Sequence, residues 1–253
     1  MNPSTLATPL AEGQTSKHSS RRAARTAGML FLVSYVGFSF GTALLAPTVD
    51  PSHDLATIYP DRTQVVVGVL FEYVNVAAIV GFAVLLYPYL KRHGEGLALG
   101  YVACRILEGA AYVVAMVSTL SLITLSKEAA AAGAPDAPAY EVARSVALGE
   151  GYWATQMATV GFVLGAVVLY SLLYRSQLVP RFISVWGLIA IVLLVAANIV
   201  VPDVSKGFEP AALLYVPVVV NELFLAGWLI VKGLSSSAVG PRVDGAEPAT
   251  PHG

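Results

Sequence analysis

The stretch of residues 64–90, QVVVGVLFEYVNVAAIVGFAVLLYPYL, decides the fold. It is apolar almost throughout, and it exceeds the about 20 residues that an α-helix needs to cross about 30 Å of hydrocarbon. Only Glu72 and Asn75 place strongly polar side chains within its apolar centre. The stretch therefore predicts a transmembrane helix that carries a carboxyl group into the bilayer.

The composition extends this interpretation to the whole chain of 253 residues. Hydrophobic residues make up 56% of it, charged residues only 12%, and the mean hydropathy is +0.69. Soluble domains carry about 25% charged residues, so this chain lacks the polar surface of a water-facing globule. The net charge of −1 excludes nucleic-acid binding through a large basic face. The single cysteine, Cys104, excludes an intrachain disulfide and a cysteine-based zinc site.

Five further apolar runs are long enough to cross a bilayer. They are residues 27–46, 97–125, 152–174, 182–201 and 211–231. The first run follows Arg21 and Arg22 and resembles a twin-arginine signal, but it is longer than a secretory apolar region of about 7–15 residues, so we expect it to be retained. The sequence thus predicts an all-α bundle of six transmembrane helices over residues 21–233. Polar, Ser- and Pro-containing tails at 1–20 and 234–253 are expected to be disordered.

The longest connection between these runs covers residues 126–151. It contains an alanine-rich segment followed by Pro135 and Pro138, and it has no room for a soluble domain. Residues 139–148, after the two prolines, are expected to form a short separate helix at the membrane surface.

The distribution of basic residues predicts the orientation, because cytoplasmic loops carry an excess of Lys and Arg. One side holds Lys17, Arg21, Arg22, Arg25, Lys91, Arg92, Arg175, Arg181, Lys232 and Arg242, whereas the other holds Arg62, Lys127, Arg144 and Lys206. Both termini are therefore expected in the cytoplasm, and the protein is expected to be a multi-pass protein of the plasma membrane.

Strongly polar side chains inside the runs are the candidate functional residues. They are Glu72 and Asn75 in the second run, Arg105 and Glu108 in the third, and Asn221 and Glu222 in the sixth. Each charged side chain near a bilayer centre costs about 2.5–3.5 kcal/mol on insertion scales. Such residues are kept where they pair with one another or serve a function.

The depths of these residues predict a single buried polar cluster. With a rise of about 1.5 Å per residue, Glu72 lies about 12 Å below the outer edge, Arg105 about 12 Å above the inner edge, and Glu222 near the midplane. Three glutamates facing one arginine would leave a net negative charge in a low-dielectric site. One glutamate is therefore expected to hold a proton, or a cation or ligand donor completes the cluster. Two interpretations remain compatible: a structural ion-pair network, and a cavity for protons, a cation or a polar substrate.

Small residues predict where helices approach closely. Gly37 and Gly41 in the first run, and Gly161 and Gly165 in the fourth, have the small-xxx-small spacing that allows tight helix packing. Glycine is common in membrane helices, so each match is weak by itself. Pro217 in the sixth run predicts a kink that would free the carbonyl of Leu213.

Several chemistries lack the residues they need. All four histidines, His18, His53, His93 and His252, lie outside the runs, so an intramembrane haem or histidine metal site has no ligands. There is no nucleotide-binding G-x-x-x-x-G-K-[ST] motif and no H-E-x-x-H motif. We therefore expect neither a cofactor nor a metal.

Four short segments carry a resemblance to the bacterial membrane family called domain of unknown function 4386. They are residues 25–30 (RTAGML), 105–110 (RILEGA), 178–187 (LVPRFISVWG) and 221–229 (NELFLAGWL). The resemblance covers residues 21–233 and implies a six-helix membrane bundle without an established activity. It supports the placement of Arg105, Glu108 and Glu222 without giving them a role.

Three functions fit these features. The first is a small transporter or permeation protein that takes an ion or a small polar ligand at the Glu/Arg cluster. The second is an intramembrane enzyme that modifies a lipid through glutamate acid/base chemistry. The third is a structural or interaction subunit. A continuous polar path would favour the first, a lipid-open pocket with two converging carboxyls the second, and a closed, fully paired cluster the third. The lipid bilayer is the only partner expected in all three cases.

Overall fold

The computed structural model describes residues 8–133, 137–200 and 210–235, with the backbone alone described at 8–19, 199–200 and 210–212. The helices are α1 (Thr8–Val49), α2 (Leu55–Ile58), α3 (Arg62–Leu90), α4 (Glu95–Ala131), α5 (Pro138–Ser176), α6 (Arg181–Val200) and α7 (Val216–Val231), with short 3₁₀ helices at Lys91–His93 and Pro210–Tyr215. The described residues contain no strand. The all-α prediction is confirmed.

Six of these helices are long and apolar enough to cross a membrane. The candidate spans are Ser20–Val49, Arg62–His93, Glu95–Ala131, Pro138–Ser176, Arg181–Asn198 and Leu213–Val231. In hydrocarbon every backbone N–H and C=O must find a partner within the protein, and a helix provides those partners within one segment. The prediction of six transmembrane helices is confirmed, whereas the cytoplasmic placement of the termini stays a prediction.

The six long helices form a closed circuit in which chain neighbours are also spatial neighbours. The closest pairs are α1 with α3 and α4 with α5, and further contacts join α3 to α4, α5 to α6 and α6 to α7. Packing of α7 against α1 closes the circuit. Side chains that point inward from different helices can therefore meet inside the bundle.

Two apolar clusters lie toward opposite ends of the bundle. The larger one includes Phe82 on α3 and Tyr101 on α4. The smaller one gathers Leu45, Leu55, Ile58, Val65, Leu122 and Ala129. On α3 the polar pair Glu72 and Asn75 falls between the two clusters, and Arg105 and Glu108 do so on α4. The polar residues therefore occupy a layer between two apolar cores.

One sequence prediction about an element boundary is wrong. Residues 139–148 do not form a separate surface helix but begin the 39-residue helix α5, which runs through Gly149 and Gly151 without a break. The side chain of Arg144 is buried and donates to the carbonyls of Asp50, at 3.0 Å, and His53. These bonds fix the first turns of α5 against the connection after α1, so the segment cannot lie separately at the surface.

Two further boundaries concern α1 and Pro217. Helix α1 begins at Thr8, and its second residue, Pro9, suits a first helical turn because no N–H partner is needed there. The domain bounds 1–20, 21–233 and 234–253 stay predictions. Pro217 lies in the first turn of α7, directly after a 3₁₀ helix, and so marks the change from 3₁₀ to α geometry. The kink at Pro217 stays a prediction. Residues 1–7 and 236–253 lie outside the described part of the chain.

The four small-xxx-small glycines lie at helix contacts. A Cβ atom at Gly37 would come within 2.7 Å of the carbonyl oxygen of Phe71, and one at Gly41 within 2.7 Å of Cγ of Glu72. Gly161 faces the backbone of Glu108, and Gly165 faces Cys104. Both motifs therefore pack directly against the two helices, α3 and α4, that carry candidate functional residues.

Candidate functional site

Arg105 is the centre of the polar layer. Tyr101, Arg105, Glu108 and Tyr112 follow one another at spacings of four, three and four residues along α4, which places them on one helix face. That face points into the bundle, and Arg105 is only 1% exposed. A buried guanidinium must find counter-charges and acceptors inside the protein, because leaving a charge without them costs several kcal/mol.

Two carboxylates and two aromatic rings surround the Arg105 guanidinium. Its Nη1 donates to Oε2 of Glu108 at 2.8 Å, and its Nη2 lies 4.0 Å from Oε1 of Glu222 on α7. Its Nε donates to the hydroxyl of Tyr101 at 3.3 Å, and the guanidinium lies 5.1 Å from the ring centre of Phe162 on α5. Arg105 thus connects α4, α5 and α7.

Glu222 extends this network to α1. The hydroxyl of Tyr35 donates to its Oε2 at 2.5 Å, while its other oxygen faces Arg105. Glu222 is buried, as is Glu108. We call Tyr35, Tyr101, Arg105, Glu108 and Glu222 the arginine site. With both carboxylates ionised, this site carries one more negative than positive charge.

Two polar atoms of this region have no hydrogen-bond partner among the described residues: Nη2 of Arg105 and the hydroxyl of Tyr170. Tyr170 on α5 is fully buried and interacts electrostatically with Glu222 and Arg105. Its ring lies against Gly187 of α6, where a Cβ atom would approach ring carbons at 2.5 Å. The arginine site therefore holds hydrogen-bonding capacity that its own ion pairs leave unused.

Glu72 forms a second, different carboxylate site at the contact of α1 with α3. It accepts from the hydroxyl of Thr42 at 3.1 Å and from Nδ2 of Asn75 at 3.5 Å, and Gly41 packs against its side chain. Glu72 is 7% exposed. Within the described part of the chain no Lys, Arg or His forms a salt bridge with it. We call Glu72, Asn75 and Thr42 the glutamate site.

Tyr112 lies four residues after Glu108 on the same face of α4. The two carboxylate sites are neighbours, because α3 packs against α4 and a Cβ atom at Gly109, next to Glu108, would come within 2.9 Å of Val76, next to Asn75. No hydrogen bond between described residues joins Glu72 directly to Arg105.

The structure thus divides the single cluster that the sequence predicts. Arg105, Glu108 and Glu222 come together, Glu72 and Asn75 form the adjacent site, and Asn221 turns away. Its Nδ2 donates to the carbonyl of Ile183 on α6 at 3.0 Å. Adjacent helical residues such as Asn221 and Glu222 point about 100° apart, so both cannot face Arg105.

Tyrosines are the site residues that the sequence reasoning missed. Tyr101 and Tyr112 could have been found from their i, i+4 spacing to Arg105 and Glu108, respectively. Tyr35 and Tyr170 lie on other helices, and no local pattern connects them to the cluster. Among the described residues, no group of three or more His, Cys, Asp or Glu side chains is arranged to hold a metal ion.

Six spanning helices around buried ion pairs define a multi-pass integral membrane protein with a polar site inside its bundle. The sequence matches the family model described as Domain of unknown function (DUF4386) over residues 26–233. The chain belongs to this family. No curated protein and no solved structure matches it.

Proposed function

We propose that this protein is a small transporter or permeation protein of the plasma membrane that moves protons, with Glu72 as the group that binds and releases them. The observation that carries the proposal is the absence of a cationic partner for Glu72 in the described residues. A carboxylate in the bilayer without a counter-charge is unfavourable, so it gains a proton or a cation from outside the protein.

The depth of Glu72 supports proton exchange with water at one face of the membrane. Its partner Thr42 lies seven residues, or about 10 Å, before the end of α1 at Val49. The carboxylate is therefore about two helical turns from that end of the bundle. On the neighbouring helix α4, the hydroxyl of Tyr112 can donate and accept a proton.

The arginine site supplies the fixed part of this arrangement. Arg105 is held by Glu108, Glu222 and Tyr101, so its charge is balanced locally. A positive charge inside a pore repels protons, and the two carboxylates reduce that repulsion. The proposed route therefore passes along Glu72 and Tyr112, beside an arginine whose charge Glu108 and Glu222 offset.

The two other functions that the sequence leaves open receive less support. A glutamate acid/base enzyme needs two free carboxyl groups facing a lipid-open pocket, whereas Glu108 and Glu222 are buried and engaged with Arg105. A purely structural cluster accounts for the arginine site but gives Glu72 no counter-charge among the residues that the structure describes.

Proton flux into liposomes tests the proposal. The purified full chain is reconstituted in vesicles that enclose a pH-sensitive dye, and a potassium diffusion potential drives proton entry. We expect flux above that of empty vesicles, and a loss of at least about tenfold in Glu72→Gln, because the amide occupies the same volume but cannot release a proton. Glu150→Gln, which changes an exposed glutamate of α5, is the matched control and should retain the flux.

A second variant tests the route. Tyr112→Phe removes the hydroxyl that the proposed route places after Glu72, and it should lower the flux while leaving the fold intact. Equal flux in Glu72→Gln and in the unmodified protein would contradict the proposal, as would flux no higher than that of empty vesicles.

A further inference from the structure

A cavity of about 360 Å³ lies at the end of the bundle opposite α2, away from both carboxylate sites. The α5–α6 connection, from Gln177 to Arg181, forms one wall, and the end of α7 with the following residues, from Trp228 to Ser235, forms the other. The backbone N–H of Ser235 donates to the carbonyl of Leu178 at 2.9 Å, which ties the two walls together.

The framework of the cavity is well fixed. Leu178 and Val179 are buried, and Gly233 ends α7 in a left-handed conformation with φ of 75°. Its N–H donates to the carbonyl of Trp228 at 3.2 Å, which is the usual way for glycine to close a helix. The cavity therefore keeps its shape without a ligand to organise it.

The cavity is electropositive. Arg181 and Lys232 line it, and none of the described lining residues is acidic. Two further cations lie next to it: Nε of Arg25 donates to the carbonyl of Ile230 at 3.2 Å, and Cγ of Arg21 lies 3.7 Å from the position of a Cβ atom at Gly233. Several cations around one concave site favour an anion.

An exposed aromatic strip continues from this cavity along the outer face of α6 and α7. Phe182 is 52% exposed and Phe224 is 41% exposed, with ring centres 5.7 Å apart. Phe224 in turn lies 6.4 Å from the ring of Trp228, at the cavity wall. Arg181 and Lys232 flank the corresponding ends of the candidate spans of α6 and α7. The cations therefore lie at headgroup level, with the aromatic strip beside the acyl chains.

We propose that this cavity binds the phosphate headgroup of an anionic glycerophospholipid. Arg181 and Lys232 contact the phosphate, and an acyl chain lies along Phe182 and Phe224. Cations alone would suit free phosphate equally well, but only a lipid uses both the charged cavity and the apolar strip that adjoins it. The site is independent of the glutamate and arginine sites and of the proposed transport.

Quenching of Trp228 fluorescence by brominated lipids tests the proposal. The full chain contains three tryptophans, and changing Trp153 and Trp186 to phenylalanine leaves Trp228 as the reporter. In phosphatidylcholine vesicles, we expect phosphatidylglycerol with brominated chains to quench at a lower mole fraction than brominated phosphatidylcholine. Arg181→Gln and Lys232→Gln should each reduce this preference by about fivefold, since a cation near an anionic membrane contributes about that factor.

Matched controls separate this site from general attraction to anionic lipid. Lys91→Gln removes an exposed cation at the same end of the bundle but outside the cavity, and it should leave the preference unchanged. Equal quenching by the two brominated lipids would overturn the proposal, as would an equal loss in Lys91→Gln. Removal of the preference by millimolar inorganic phosphate would also overturn it, because the site would then bind a soluble phosphate.

Discussion

The two carboxylate sites differ in how the negative charge of their glutamates is balanced. In the arginine site, Glu108 and Glu222 share one guanidinium, and hydroxyls of Tyr35 and Tyr101 complete their surroundings. In the glutamate site, the partners of Glu72 among the described residues are the neutral groups of Thr42 and Asn75. The side chains around a membrane carboxylate therefore decide whether its negative charge is balanced inside the protein or needs a partner from outside.

This difference predicts that the arginine site mainly affects stability and that Glu72 mainly affects function. Breaking an internally compensated pair leaves an uncompensated buried charge, so the arginine site should dominate the stability of the bundle. Neutralising Glu72 removes no internal ion pair, so it should leave the fold intact and affect proton movement.

Topology gives an all-or-none test. A reporter fused after Gly233 should be cytoplasmic, and one inserted near residue 133, between α4 and α5, should be external, as the distribution of basic residues predicts. Cell-surface labelling of both fusions measures this. An external C-terminus would place Glu72 nearer the cytoplasmic face and contradict the predicted orientation.

Loss of Arg105 should cause the largest change in stability. Arg105→Ala leaves Glu108 and Glu222 without their cation, and one-sided loss of a buried pair typically costs about 3–5 kcal/mol. Thermal unfolding in detergent measures the loss. Adding Glu108→Gln should restore part of it, and Glu222→Gln less, because the Arg105–Glu222 separation of 4.0 Å is longer than the 2.8 Å to Glu108.

A double-mutant cycle separates coupling from independent losses. Zero coupling of Arg105 to both glutamates would refute the arginine site as a unit. Arg105→Ala combined with Glu72→Gln supplies the contrast, since no salt bridge joins these residues in the structure. Their coupling should be small compared with that of Arg105 and Glu108.

Removing Arg144 tests how much a buried arginine contributes to stability when its partners among the described residues are backbone carbonyls. It donates to the backbone carbonyls of Asp50, at 3.0 Å, and His53, so its removal leaves neutral acceptors. Hydrogen bonds that involve a charged group contribute about 1.5–3 kcal/mol. We expect Arg144→Gln to cost less than Arg105→Ala and to loosen the connection between α1 and α2, detected as faster hydrogen exchange there. A loss as large as that of Arg105→Ala would contradict the comparison.

Gly37→Ala should disturb the glutamate site more than the arginine site. The new Cβ atom would lie 2.7 Å from the carbonyl oxygen of Phe71 and 2.9 Å from the backbone N of Asn75, so α1 and α3 must separate. Such overpacking typically costs about 1–3 kcal/mol. Gly100→Ala on α4 is the control, since a Cβ atom there meets nothing within 4 Å. The two variants should differ in thermal stability, and equal melting would refute the close approach of α1 to α3.

Protonation of Asp50 should have the smallest effect on stability. Hydrogen bonds from the hydroxyl and the N–H of Ser52 hold the pKa of its carboxyl below the ordinary value of 3.8. A lowered pKa in the folded state stabilises the turn above the unfolded value, and that contribution is lost as the pH falls below about 4. Hydrogen exchange of residues 50–55, corrected for intrinsic pH dependence, should rise in this range. Asp50→Asn should remove the pH dependence, and its persistence would refute the assignment.

The sequence predicted the features that depend on composition and local spacing. Long apolar runs revealed the six spans, and the i, i+3 spacing of Arg105 and Glu108 placed them on one face, where they form the shortest ion pair of the arginine site. The glycine spacing marked two helices for close packing without naming their partners, which the structure gives as α3 and α4. These features follow from helix geometry alone.

Contacts between side chains on different helices could not be predicted from local spacing. Depth along a helix says nothing of rotation about its axis, so Asn221 and Glu222 looked equivalent although only Glu222 faces Arg105. The bond between Tyr35 and Glu222 joins residues 187 positions apart. The continuity of α5 depends on Arg144 contacting a segment that is far away in the sequence. Each of these outcomes is decided by tertiary packing.

Infrared difference spectroscopy of the reconstituted protein tests the central claim most directly. The carboxylic C=O stretch is recorded while the pH is changed, for the unmodified chain, Glu72→Gln and Glu222→Gln. We predict that a buried carboxyl group binds and releases a proton, that its band disappears in Glu72→Gln, and that it remains in Glu222→Gln. A band that remains in Glu72→Gln and disappears in Glu222→Gln would contradict the account, because the exchanging group would then belong to the arginine site.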